Sequence, residues 1–180
     1  MHSLLRSFAL SVNSELLRRS ATDFQFPRKP NFSRFKPLRQ PSLWVTSWAC
    51  ENADKVAGIA GIYPVFDLRT YPGLATAAPA YELTQQKLTE TLSELNPIEH
   101  VSRLAQAKIP ALFIHGDQDT VVPLKENSLE FQLRYQQEKS GELVTVIVAK
   151  GQGHNYWEGF FRCQELVDFT IARARDGAKQ

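Results

Sequence analysis

The stretch ALFIHGDQDTVVP, residues 111–123, decides the fold of this chain. It begins with an unbroken apolar run that Pro110 introduces, and such a run is typical of a parallel strand covered on both faces. Two similar runs, VAGIAGIYPV at 56–65 and LVTVIVA at 143–149, predict two more buried strands. Segments that suit packed helices lie before, between and after these strands, at 43–56, 128–139 and 164–177. The alternation predicts an α/β domain with three parallel strands and right-handed crossovers.

The composition is that of one globular domain. Of 180 residues, 43% are hydrophobic and 22% are charged, which excludes a wholly disordered or collagen-like protein. No apolar run approaches the roughly 20 residues of a membrane-spanning helix, and the net charge of +2 leaves no whole-chain footprint of a nucleic-acid binder. Cys50 and Cys163 have neither a zinc-ligand spacing nor enough partners for a disulfide framework. We therefore expect buried free thiols, and no metal or other cofactor.

Residues 1–42 differ in composition from the rest. They hold eight basic and two acidic residues, so this segment carries +6 and the remainder −4, and all nine glycines fall at Gly58 or later. Four prolines between Pro27 and Pro41 discourage both helix and strand. The sequence predicts a disordered basic arm over 1–42, outside the fold, and a domain over 43–180.

Two other interpretations of this arm are weaker. The first 20 residues are rich in Arg and Ser and poor in acids, as a mitochondrial transit peptide is. Phenylalanines interleaved with basic residues over 24–36 could in principle stack on single-stranded nucleic acid. A solvated arm, with neither a nucleic-acid nor a membrane partner, is the preferred interpretation.

A long excursion separates the first two predicted strands. YELTQQKLTETLSELNPIEHVSRLAQAKIP, at 81–110, indicates a polar helix, a break at Asn96-Pro97 and a short helix through Val101 and Leu104. The excursion is longer than the usual connection. Two interpretations stay open: a cap-like insertion over a substrate mouth, or a plain pair of surface helices.

Residues capable of chemistry follow two of the predicted strands. HGDQDTVVP, 115–123, ends the second strand, and GQGHNYW, 151–157, follows the third. Open α/β sheets place their ligands at the carboxyl ends of the strands, so both loops share one edge. If the strands are adjacent, the Asp119 carboxylate can bind the Nδ1–H of His154. Such a pair is the acid–base part of an acyl-transfer site, because the other imidazole nitrogen takes the proton of a hydroxyl.

These motifs carry a family resemblance. HGDQDTVVP, followed by GQGHN and preceded by NPIEHVSRLAQAKIP, resembles the C-terminal half of an α/β-hydrolase of the prolyl oligopeptidase and dienelactone hydrolase-like branch, over Leu43 to Ala174. The resemblance implies a partial α/β-hydrolase fold with the last three parallel strands, and a serine hydrolase of esterase or peptidase type. It assigns the catalytic acid to Asp119 and the catalytic histidine to His154, while Asp117 braces the turn. The implied substrate is a small-molecule ester or a peptide, without a cofactor.

The family's nucleophile has no counterpart in this sequence. The family presents a serine in Gly-x-Ser-x-Gly before the helix that LWVTSWA resembles, yet no glycine precedes Gly58. Arg39 stands at the position of that serine, and Ser42 lies three positions later, after a proline. We therefore expect a truncated hydrolase that is inactive alone.

The alternative is a function of another class. The first predicted strand lacks the neighbour on which the family fold relies, and an unpaired apolar strand favours pairing with another chain. In this interpretation the chain is a non-catalytic α/β module that acts through protein interaction. Localisation stays open, because a lost N-terminus would take a signal peptide with it. The cytoplasm is slightly favoured.

Four aromatic residues near the strand ends also have two interpretations. They either line an acyl pocket or pack in the core, and core packing is favoured. These residues are Tyr63, Phe66, Trp157 and Phe160.

Overall fold

A four-stranded sheet organises the part of the chain that the computed structural model describes, residues 8–13 and 41–177. The strands are β1 (Phe8–Asn13), β2 (Val56–Ile62), β3 (Ala111–Gly116) and β4 (Val144–Ala149), and their order in the sheet is the order in the chain. Strands β2, β3 and β4 are parallel, as the three apolar runs predict. All six residues of β3 are buried, because both faces of this central strand are covered.

Eight helices of the described residues connect and flank these strands. They are α1 (Pro41–Glu51), α2 (Leu74–Ala77), α3 (Gln85–Glu90), α4 (Leu92–Leu95), α5 (Val101–Gln106), α6 (Glu130–Gln137), α7 (Glu158–Phe161) and α8 (Gln164–Gly177). A π-helical turn, Lys125–Leu129, leads into α6. None of the helices in the described ranges is long and apolar enough to cross a membrane.

The two faces of the sheet have separate cores. On one face, α1, α5 and α6 pack against the strands through buried side chains that include Phe113 and Phe131. On the other face, α7 and α8 cover Ile62 and Ile114. Neighbouring residues of a strand point to opposite faces, so Phe113 and Ile114 enter different cores. These flanking helices confirm the predicted α/β class.

The excursion between β2 and β3 is divided more finely than its sequence predicts. Helices α3 and α4 take the place of the one predicted polar helix, α2 precedes it, and α5 follows the predicted break at Asn96-Pro97. The excursion has a core of its own, which includes Leu88 and Leu92 and which also contains Val122. It therefore packs against the loop that follows β3.

The prolines and basic residues of segment 1–42 predict no strand there. The backbone of β1 nevertheless pairs antiparallel with β2, from Phe8 opposite Ile62 to Asn13 opposite Val56. This pairing occupies the edge of β2 that the sequence predicts to be open. Helix α1 begins at Pro41, two residues before the predicted boundary. The predictions for the remainder of 1–42, including Arg39, lie outside the described residues.

Candidate active site

The carboxyl ends of β3 and β4 lie side by side. The two strands pair in parallel up to Gly116 opposite Ala149. The loop after β3 carries Asp119 and the loop after β4 carries His154, as the sequence predicts. His154 Nδ1 lies 2.8 Å from Asp119 Oδ2, so the structure brings the two candidate site residues into direct hydrogen-bond contact.

The Asp119 carboxylate is buried and fully engaged. Its Oδ1 accepts hydrogen bonds from the backbone amides of Val121, at 2.9 Å, and Val122, at 2.8 Å. Burial disfavours the charged form, but hydrogen bonds from His115, His154 and the Val122 amide outweigh it and hold the pKa of Asp119 well below its usual range. The carboxylate is therefore charged and can only accept hydrogen bonds from its partners.

The contact fixes the tautomer of His154. Because the carboxylate can only accept, the proton of the neutral imidazole lies on Nδ1, and Nε2 carries the lone pair. The side chain is 5% exposed. The ring of Tyr63 packs against the imidazole, with 4.4 Å between the two ring centroids. This arrangement provides a general base whose Nε2 can exchange a proton with a hydroxyl.

The loops that carry the pair are locked together by close backbone contact. The amide of Gln118 donates to the carbonyl of Gln152 at 2.9 Å. A Cβ on Gly116 would lie 2.1 Å from that carbonyl oxygen, so only glycine fits there. At Gly153 the nearest contact would be 3.3 Å, to the Gln118 carbonyl. Of the two glycines, Gly116 therefore makes the closer backbone approach.

Asp117 has the position that the resemblance gave it. Its Oδ1 accepts a hydrogen bond from the amide of Gly151 at 2.7 Å, and its Oδ2 lies 3.4 Å from Lys150 Nζ. Gly151 has φ of +71°, a conformation that favours glycine. Asp117 thus braces the turn after β4 and does not contact His154 in the described hydrogen-bond network.

Sequence reasoning missed two buried polar residues beside the pair. His115 and Ser128 are both 0% exposed, and His115 Nδ1 lies 2.8 Å from Ser128 Oγ. The available signal was His115 itself, because a polar residue that ends an apolar strand must find a buried partner. Its partner lies in the π-helical turn, which the sequence pattern does not reveal.

The four aromatic residues near the strand ends do not share one environment. Tyr63, Phe66 and Phe160 are buried in the two cores of the sheet, as the favoured interpretation has it. Trp157 is 40% exposed and packs edge-on against Phe160.

The other candidates for chemistry are occupied or buried. Ser42 is 0% exposed, and its Oγ accepts a hydrogen bond from the amide of Val65 at 3.2 Å. Cys50 and Cys163 are buried free thiols, as predicted, and burial raises the pKa of Cys50 to about 12. Within the described residues, no group of three or more His, Cys, Asp or Glu side chains is arranged to hold a metal ion.

A comparison with protein families decides the assignment. The sequence pattern of the prolyl oligopeptidase family matches residues 44–170. The chain belongs to the prolyl oligopeptidase family. The match includes both loops of the candidate site and begins after residues 1–42. Curated proteins give no match.

A solved structure shows the same fold. A putative dipeptidyl aminopeptidase IV from Bacteroides ovatus superposes with a TM-score of 0.56 at 17% identity, over 74% of this chain and 18% of that protein. A puromycin-hydrolyzing peptidase from Mycobacterium tuberculosis is 23% identical over 63% of this chain and 17% of its own, with a TM-score of 0.45. This chain therefore spans less than a fifth of the length of each of these two proteins.

Proposed function

We propose that Asp119 and His154 are the acid and the general base of a Ser-His-Asp acyl-transfer site, in a serine hydrolase of esterase or peptidase type. The observation that carries the proposal is the 2.8 Å contact between His154 Nδ1 and Asp119 Oδ2, at the shared edge of two adjacent parallel strands. Membership in the prolyl oligopeptidase family supports it. The proposed substrate is a small-molecule ester or a peptide.

The mechanism follows from the charges of the pair. Asp119 holds the imidazole in the Nδ1–H tautomer and stabilises the imidazolium that forms when Nε2 takes a proton. Nε2 accepts the proton of an attacking hydroxyl and later returns it to the leaving group. Burial of the carboxylate strengthens its interaction with the imidazolium, because few waters screen it.

For this 180-residue chain by itself, we expect that no acyl-enzyme forms. Its sequence has no glycine before Gly58 and hence no Gly-x-Ser-x-Gly before α1. Ser42, in the first turn of α1, is fully buried and its Oγ already accepts a hydrogen bond. A Ser-His-Asp site without its nucleophile keeps little covalent chemistry.

Fluorophosphonate labelling tests the activity of the chain. We expect no covalent labelling of the folded wild-type chain above the level of His154→Ala. Ser140→Ala is the control, because it changes a buried serine that contacts Lys108 instead of the pair. Labelling that His154→Ala abolishes and Ser140→Ala retains would support the acyl-transfer site and contradict the absence of a nucleophile.

Nuclear magnetic resonance tests the pair itself. A carboxylate-bound imidazole N–H gives a strongly downfield proton resonance, and we expect such a signal from His154 Nδ1 in the wild-type chain. Asp119→Ala should remove it, whereas Asn155→Ala, which changes the exposed neighbour of His154, should keep it. A folded wild-type chain in which no downfield signal depends on Asp119 would refute the proposed pair.

One observation favours the second candidate function, a non-catalytic module that pairs with another chain. Among the described strands, β4 lies at an edge of the sheet, and its sequence VTVIVA holds neither charge nor proline to block pairing. Sedimentation over a range of concentrations tests this candidate. Self-association that Val146→Lys abolishes would support it, and a monomer at all concentrations would count against pairing between copies of the chain.

A further inference from the structure

His115 and Ser128 form a buried pair next to the candidate site, and the proposed acyl-transfer chemistry does not use them. His115 is the fifth residue of β3, and Ser128 belongs to the π-helical turn Lys125–Leu129. Neither side chain is exposed. A buried imidazole must satisfy both ring nitrogens, so the partners of His115 show what it holds in place.

The Nε2 of His115 holds the turn that presents Asp119. It lies 2.8 Å from the carbonyl oxygen of Val122, and a carbonyl can only accept, so this nitrogen carries a proton and donates it. The amide of the same Val122 donates to Asp119 Oδ1. His115 therefore binds the carbonyl group of Val122, and the amide of the same residue binds the Asp119 carboxylate. Nε2 also lies 3.5 Å from Asp119 Oδ2, the oxygen that binds His154.

The Nδ1 of His115 has its partner in Ser128. In the neutral imidazole, Nδ1 has the lone pair, and the Ser128 hydroxyl donates to it at 2.8 Å. The next residue back in the same π-helical turn, Asn127, donates from Nδ2 to the carbonyl of Pro123 at 2.9 Å. The turn thus anchors the Asp119 loop at two successive residues, Val122 through His115 and Pro123 through Asn127.

We propose that His115, oriented by Ser128, is a positioning residue for Asp119. The imidazole is rigid, lies on the central strand and is fixed at both nitrogens, so it sets the height of the Val122 peptide above the sheet. That height determines where Asp119 Oδ2 meets His154. The inference rests on the proposed function, because the value of this placement is the geometry of the acid–base pair.

Hydrogen exchange in the full 180-residue chain tests the proposal. The variant is Ser128→Ala, which removes the hydroxyl and leaves Nδ1 of His115 without its donor. We expect the amides of Val121 and Val122 and the Nδ1–H of His154 to exchange about tenfold faster, because a buried group loses its hydrogen-bond partner. The amide of Phe113 in β3 should keep its wild-type rate and serves as the internal reference for global opening.

Ser140→Ala is the matched control. Ser140 is also 0% exposed, and its Oγ is bound to Lys108 Nζ at 2.8 Å, in a different part of the molecule. It should leave the three site protons unchanged relative to Phe113. Ser128→Thr, which restores a hydroxyl, should return their exchange towards the wild-type rate.

Three outcomes would overturn the positioning role. These are wild-type exchange at Val121, Val122 and His154 in Ser128→Ala, the same acceleration in Ser140→Ala, and an acceleration that Phe113 shares in full. If the wild-type chain lacks the downfield His154 signal, the proposed function fails, and the Val121 and Val122 amides alone still decide whether Ser128 acts on the Asp119 turn.

Discussion

The Asp119 carboxylate makes stability depend on pH. Its folded-state pKa lies below the value of about 3.9 for an unfolded chain, so this group contributes stability that is present above pH 4 and is lost as the pH falls towards the folded pKa. We expect the free energy of unfolding to decrease between about pH 5 and pH 2. Urea denaturation at a series of pH values measures this slope.

The substitution Asp119→Asn removes the negative charge of the side chain and keeps its shape. The amide oxygen can still accept from Val121 and Val122, but the side chain has no charge to lose, so the pH slope should become shallower. At neutral pH the variant should be less stable by about 2 kcal/mol, because a hydrogen bond to a charged group is lost at His154. Asp168→Asn, the same chemical change at an exposed site on α8, is the control. Equal slopes for wild type and Asp119→Asn would contradict the prediction.

Gly116 and Gly153 should differ in their tolerance of alanine. At Gly116 the added Cβ would lie 2.1 Å from the Gln152 carbonyl oxygen, which belongs to backbone and cannot move without separating the two loops. We expect Gly116→Ala to destabilise by about 3 kcal/mol. At Gly153 the closest atom would be 3.3 Å away, and we expect about 1 kcal/mol. Urea denaturation compares the two, and equal losses would show that the loops adjust freely.

At the scale of elements, the π-helical turn connects two loops of the site. Asn127 Oδ1 accepts from the amides of Phe66 and Asp67, while its Nδ2 donates to Thr70 Oγ1 and the Pro123 carbonyl. One side chain thus joins the segment after β2 to the loop after β3. Single π-helical turns of this kind are frequent at functional sites.

Asn127→Ala should loosen both loops at once. Two backbone amides would lose their buried acceptor, so we expect a loss of about 3 kcal/mol in the free energy of unfolding. Asn155→Ala removes an exposed amide at 3.3 Å from Gln152 and should cost less than about 0.5 kcal/mol. Thermal unfolding of the two variants measures the difference. A small decrease in the free energy of unfolding for Asn127→Ala would contradict the prediction, because it would mean that water can replace the Asn127 side chain as hydrogen-bond partner.

The central strands and the Asp119–His154 contact could be predicted from sequence because the signals are local. A parallel strand buried on both faces is a continuous apolar run, and a residue just after such a strand must lie at the carboxyl edge. The order of the motifs then placed Asp119 and His154 on neighbouring loops, and the 2.8 Å contact between them agrees with that placement.

The supporting contacts could not be predicted, because they depend on distant partners. The need for glycine at Gly116 comes from Gln152, which follows another strand. The partner of His115 is a serine whose inward direction depends on the π-helical turn. The strand β1 lies in a segment whose prolines and charges favour irregular chain, and only its pairing with β2 reveals it.

At the scale of the whole molecule, the candidate site lies where two packing clusters meet. Val122, which binds Asp119 through its amide, belongs to the core of the excursion. Tyr63, which supports His154, belongs to the core under α7 and α8. The distance between Asp119 and His154 therefore depends on how these two clusters pack against the sheet. A change of packing in either cluster would alter that distance.

The edge of the sheet gives the last prediction. Antiparallel pairing with β1 covers β2, whose apolar sequence VAGIAGI would otherwise present an open edge, and open apolar edges promote association. Deletion of residues 1–13 should therefore increase aggregation, because it exposes the backbone edge of β2 that β1 covers. Light scattering during storage measures the change, and deletion of residues 1–7, which keeps β1, is the matched control. If both deletions stay monodisperse, β2 needs no partner strand and β1 contributes little to the solubility of the domain.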